Sequence, residues 1–136
     1  MTTPTPPILP SPDAAPFWEA ARRHELVLPY CEAGDGFFFY PRTACPACGS
    51  RDVGWRPASG RGRIHAFTIQ PASRVPGFAD AGPFVTVIVE LEEGPRMMSI
   101  LIDVQPDPEH VRCDLPVEVA FLDQSDGESL PVFRLV

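Results

Sequence analysis

Two stretches of this chain, residues 84–91 and 96–104, alternate apolar and other side chains with a period of two. Val85, Val87, Val89 and Leu91 share one face of the first; Met98, Ile100, Ile102 and Val104 share one face of the second. That period is the mark of half-buried strands. Glu92-Glu93-Gly94-Pro95 between them has the composition of a hairpin turn. Residues 62–70, 116–122 and 130–135 read as three further strands. Five short strands within residues 60–136 suit a small closed or partly open barrel, of which the OB-fold is the commonest five-stranded form. An SH3-like barrel and a small sandwich compete on pattern alone. Two connections are long, 71–83 and 105–115, and the first exceeds the usual loop length, which is often a functional sign.

The first 59 residues have a different character. Residues 1–12 are rich in Pro and Thr and cannot bury enough apolar area to offset their own ordering, so they read as a disordered or polyproline-like tail. Phe17, Ala20, Ala21 and His24 then fall on one face of a short helix. Pro16 fits its first turn, where a missing N–H costs little, and Asp13 is a candidate cap. Leu26-Val27-Leu28 and Phe37-Phe38-Phe39-Tyr40 form two short β-type runs around the segment that begins at Cys31. The organisation is therefore a tail over 1–12, a helix with a ribbon-like segment over 13–59, and a mainly β barrel over 60–136.

The ribbon-like reading rests on cysteines. A structural zinc ribbon holds its ion with four ligands on two knuckles, because Zn²⁺ prefers a closed tetrahedral site. Cys45-Pro46-Ala47-Cys48-Gly49 is a complete knuckle. Cys31, separated from Cys45 by thirteen residues, begins another, but Gly34 stands where its second ligand belongs. Asp35, Glu32, His24 or a water could fill the fourth corner. The alternative is a degenerate ribbon that has lost its metal and keeps its hairpins, packed on Phe37, Phe39 and Trp55. A redox role for the pair is disfavoured, since no βαβ pattern surrounds it. Cys113 reads as a small hydrophobe leading into a strand.

Charge and composition exclude several classes. All 11 basic residues are arginine, 18 residues are acidic, and the formal net charge is −7. Nucleic-acid binding by counterion release needs the opposite balance, so a general nucleic-acid binder is disfavoured. No apolar run approaches the length of a membrane span, and the first residues lack the basic and apolar regions of a secretory signal. A cytoplasmic location is expected. No nucleophile, base and orienting acid can be matched, and no Gly-rich phosphate loop follows a strand. Ser59-Gly60-Arg61-Gly62-Arg63 reads as a bulged linker entering the barrel rather than a phosphate site. Phe17, Trp18, Phe37, Phe38, Phe39, Tyr40 and Trp55 crowd a segment too small to bury them all. A surplus of this kind marks an interface.

Taken together, Phe17-Trp18-Glu19, Leu26-Val27-Leu28 entering Cys31, Phe39-x-Pro41-Arg42-x-x-Cys45-Pro46-x-Cys48-Gly49-Ser50, Trp55, Ser59-Gly60-x-Gly62 and Leu115-Pro116-Val117-Glu118-Val119 resemble the DUF35 family. These are OB-fold, acyl-CoA-associated proteins with a rubredoxin-like zinc ribbon, and the resemblance runs over residues 13–136. It implies a non-catalytic accessory subunit that docks on a thiolase-fold enzyme (an aldolase, thiolase or acyltransferase), as a hetero-tetramer or larger. It further implies help in forming an acyl-CoA site, in steroid side-chain or related lipid metabolism. Carried onto this sequence, it makes Cys31, Cys45 and Cys48 zinc ligands, with Gly34 at the missing fourth position. Phe17, Trp18, Phe37, Phe38 and Tyr40 are the expected partner face. Arg42 and Arg56, which flank the ribbon, are the expected contacts to the CoA thioester. The competing functions are an OB-type single-strand binder and a stand-alone enzyme that uses an open three-cysteine zinc as Lewis acid.

Overall fold

The alternating segments close into a barrel. The structure, a computed structural model, describes residues 6–71, 76 and 82–136. In chain order the elements are a 3-10 turn (Pro12–Ala14), α1 (Ala15–Arg22), β1 (Val27–Cys31), β2 (Gly36–Phe37), β3 (Val53–Pro57), β4 (Arg61–Gln70), β5 (Phe84–Leu91), β6 (Arg96–Ile102), β7 (Pro116–Asp123) and β8 (Ser129–Leu135). The five later strands form a closed barrel in the order β4-β5-β6-β8-β7, and β2-β1-β3 form a separate three-stranded sheet. Neighbours in the barrel are antiparallel except β6 and β8, which run parallel through Leu101↔Phe133 and Ile102↔Arg134. This is the OB-type closure the strand count suggested, and the fold is mainly β with one short helix.

Inward side chains account for the closure. Val85, Val87, Val89 and Leu91 are all buried, as their alternation requires, and they join Ile64, Val117 and Phe133 in one cluster. On β6 the alternation is less decisive, because both faces are apolar. Met97 and Leu101 point into the main core, whereas Ile100 packs with Phe84 and Val132 in a second, smaller cluster, with Ile102 against it. Phe17, Leu26 and Leu28 belong to the main cluster as well. The helix and the small sheet therefore share their apolar interior with the barrel.

The Gly-rich entry to the barrel is a packing device. Gly60 has φ +78, and a Cβ there would lie 2.4 Å from Val119 Cγ1. A Cβ on Gly62 would lie 2.4 Å from the Glu90 carbonyl oxygen of the adjoining strand. β4 and β5 thus approach too closely for any side chain at 62. Overpacking of this kind costs about 2 kcal/mol. We expect Gly62→Ala to lower the denaturant midpoint of unfolding accordingly. An unchanged midpoint would mean the two strands can separate without loss.

Local details depart from the sequence expectations at several points. Asp13 does not cap: it lies inside the 3-10 turn, and neither helical start has a side-chain cap. The helix ends at Arg22, two residues before His24. His24 donates its N–H to Ala21 O and Glu25 donates to Ala20 O, with His24 at φ +59. That paired closure uses a left-handed residue to satisfy the last carbonyls, and it swings His24 off the apolar face. The aromatic run is a strand only as far as Phe37, and β3 pairs with β1 along Val27↔Pro57 to Cys31↔Val53, a partner not expected from a segment holding both Gly54 and Pro57. Residues 1–5 of the expected tail lie outside the described residues. Within 6–12, Ile8 is buried and the Pro6 carbonyl accepts from Gln124 Nε2, so these residues pack on the protein instead of trailing free.

Candidate functional site

The small sheet carries the cysteine cluster. β1 ends at Cys31, and the chain turns back through Gly34 (φ +123) and Gly36 (φ +77) into β2. Left-handed backbone at both positions favours residues without a Cβ, which explains the paired glycines. The second knuckle is closed by Gly49 N–H on Cys45 O and Cys45 N–H on Ser50 O, with Gly49 at φ +76. The Ala47 N–H lies 3.4 Å from Cys45 Sγ, the backbone donor that a knuckle offers its thiolate.

These turns bring Cys31, Asp35, Cys45 and Cys48 together, one ligand atom from each, all within 4.8 Å of one another. Cys31 and Cys45 are buried, and Cys48 is at the surface. The sulfurs of Cys31 and Cys48 are 3.7 Å apart. A disulfide would place them near 2.05 Å, so all are free thiols. Two thiolates on a tetrahedral zinc, each at about 2.3 Å, stand about 3.8 Å apart, and the cysteines fit that ion. Asp35 lies within hydrogen-bonding reach of the Cys31 and Cys45 thiols. The Asp35 carboxyl is held below its ordinary range by thiol donors, Cys48 first. The backbone N–H of Asp35 lowers Cys31, and the bond to Asp35 pushes Cys48 up to about 12. Metal binding displaces the thiol protons, because the ligands must be deprotonated.

The other candidates for the fourth corner are engaged elsewhere. Glu32 Oε2 accepts from Arg56 Nη2 at 2.7 Å. His24 Nε2 lies 2.7 Å from Asp123 Oδ1 and its ring stacks on Phe121, against the barrel. Arg56, expected to meet CoA, is thus paired with Glu32 and also lies 3.7 Å over the Tyr30 ring. Arg42 has no ion-pair partner among the described residues. His65 is a surface residue at the bulge of β4, 4.0 Å from Glu90.

A second feature adjoins the helix. A groove of about 650 Å³ lies between α1, the aromatic run and the outer face of β5, β6 and β8; Trp18, Phe39, Tyr40, Met98, Ile100 and Pro131 are among its walls. Its lining is mostly apolar, with Gln70, Thr86 and Ser99 as polar points. Phe17 and Phe39, both lining it, meet at a tilt of 54° with 5.5 Å between ring centroids. Of the five aromatics expected at a partner face, Phe17 and Phe38 are buried in the isolated chain, and Phe17 also lines the groove. Trp18 and Phe37 are partly buried against the main core, and Tyr40 is 50% exposed. Met98, 56% exposed, also lines the groove and was not expected there from sequence. Its outward side belongs to the face of β6 that alternation alone left ambiguous.

Residues 18–54 match the profile described as the ChsH2 rubredoxin-like zinc ribbon domain, and residues 55–122 match the ChsH2 C-terminal OB-fold domain. The chain belongs to the DUF35 family. Among solved structures, a chain of the Ltp2-ChsH2(DUF35) aldolase matches with a TM-score of 0.82 and 31% identity, over 95% of this chain and 98% of that one. Curated DUF35 relatives include a DUF35 domain-containing scaffold protein of Pyrococcus furiosus, 36% identical over 94 residues, 67% of this chain and 66% of that protein. The 3-oxo-4,17-pregnadiene-20-carboxyl-CoA hydratase alpha subunit of Mycobacterium tuberculosis is 35% identical over 119 residues, 85% of this chain. This DUF35 chain spans 36% of the length of that subunit, about a third. Among the described residues no helix is long and apolar enough to cross a membrane.

Proposed function

We propose that this chain is a non-catalytic accessory subunit that docks on a thiolase-fold enzyme and helps form its acyl-CoA site. One observation carries the reading: the chain superposes along its length on a subunit of an aldolase assembly, at an identity that joins the two in sequence as well as shape. The scaffold role named for its DUF35 relatives supports the same view, and the CoA thioester named for the mycobacterial relative supports the substrate class, with steroid or related lipid metabolism as its setting. The groove beside α1 is the docking face. Its apolar walls and the exposed Tyr40 and Met98 have the composition of an interface core rather than of solvated surface. Trp18 is one of its walls, Phe37 lies outside the groove on the small sheet, and Arg42 is a cation free to meet a CoA phosphate. The ribbon holds zinc through Cys31, Cys45 and Cys48 and stiffens the segment that builds one wall of the groove. The protein works in the cytoplasm as part of a hetero-tetramer or larger assembly.

Co-expression of a tagged copy with the thiolase-like proteins encoded beside its gene, followed by affinity purification and light scattering, tests this reading. A complex of fixed stoichiometry is the expected result. A chain that elutes alone in the presence of each of those partners would end the accessory-subunit reading.

A further inference from the structure

The position of the missing fourth ligand is filled from the neighbouring residue. We infer that Asp35 completes a three-cysteine, one-aspartate zinc site, so that the first knuckle is Cys31-x-x-x-Asp35. The inference rests on the zinc reading of the ribbon and adds a ligand to it.

The distances carry it. Asp35 Oδ2 lies 3.7 Å from Cys31 Sγ and 3.5 Å from Cys45 Sγ. A carboxylate oxygen at about 2.0 Å and a thiolate at about 2.3 Å on one tetrahedral zinc stand about 3.5 Å apart. With the Cys31–Cys48 separation of 3.7 Å, three edges of the polyhedron have the lengths a bound ion would impose. The backbone explains why position 35 and not 34 serves. Gly34 is held at φ +123, where a side chain is strained, and a Cβ there would meet nothing within 4 Å. The extra residue between Cys31 and its partner is absorbed by two left-handed glycines, 34 and 36, one on each side of Asp35. Glu32 and His24 are held by Arg56 and Asp123, which removes the competing donors.

Two properties follow. The site is closed by protein atoms, so it has the ligand count of a structural centre and leaves no open position for a substrate. Its outer edge is Asp35 and Cys48, both exposed, while Cys31 and Cys45 are buried. Exchange of the ion therefore proceeds from the carboxylate edge. A hard oxygen in place of a soft sulfur also lowers the preference for thiophilic ions relative to a four-thiolate ribbon.

X-ray absorption at the zinc edge of the full chain and of Asp35→Cys tests the assignment. The expected result is one zinc per chain with three sulfurs and one oxygen in the wild type, and four sulfurs in Asp35→Cys. Zinc competition with a chromogenic chelator adds an affinity: Asp35→Ala is expected to bind at least about a hundredfold more weakly. Three sulfurs and one oxygen retained in Asp35→Cys, or an Asp35→Ala affinity equal to wild type, would show that position 35 does not reach the ion and would overturn the inference while leaving the zinc ribbon standing. A wild-type chain that takes up no zinc would overturn both. Neither result bears on whether the chain docks on a partner, which the co-purification decides separately.

Discussion

Stripping zinc from the chain with a strong chelator is expected to lower its melting temperature by about 10 °C or more, within a single transition. A ligand that binds only the folded state at a thousand times its dissociation constant contributes about 4 kcal/mol. At a chain length of 136 residues, each kcal/mol moves the midpoint by about 3 °C. The single transition is the more telling part. Phe17, Leu26 and Leu28 lie in the same apolar cluster as Ile64, Val87 and Phe133, so loosening the ribbon opens the barrel's interior to water. Scanning calorimetry with and without chelator is the measurement. Two resolved transitions would mean the small sheet melts independently, and a shift under about 2 °C would mean the ion contributes little to the fold.

Met98→Asp is expected to weaken binding to the partner enzyme at least about a hundredfold, close to 3 kcal/mol, with the melting temperature unchanged. Met98 is mostly outside the core on the isolated chain, so the substitution removes little internal packing. In a docked groove the same carboxylate would be buried without a partner, which costs far more than the lost methionine contacts. Tyr40→Ala should weaken binding less, because it removes area without adding a charge. Titration calorimetry against the purified partner separates the cases. A Met98→Asp chain that binds at wild-type strength would move the docking face to another surface.

What could be seen in the sequence follows the physics of each segment. The barrel strands were legible because turn residues bound each of them and side-chain alternation on β5 left one arrangement that buries the valines. β3 was not, because Gly54 and Pro57 argue against a strand and only pairing with β1 overrides them. The chemistry of the knuckles was visible in Cys31, Cys45 and Cys48. The fourth corner was not decided, since a shift of one residue along a loop depends on backbone angles that spacing does not record. Residue type also failed to separate the aromatics. Phe17 and Phe38 are buried while Tyr40 faces out, a difference set by the helix and the turn after β2. The groove was invisible for the same reason: α1, the aromatic run and β6 meet only once the barrel is closed.

The place of β8 in the barrel has a consequence for how the protein is made. The last strand in sequence inserts between β6 and β7, pairing parallel with one and antiparallel with the other. Until the ribosome has released Ser129–Leu135, both neighbours present unpaired edges, and a nascent chain with two open edges is prone to join another like itself. Closure therefore waits for β8, and disrupting that strand would turn a closed cylinder into a sticky, open sheet.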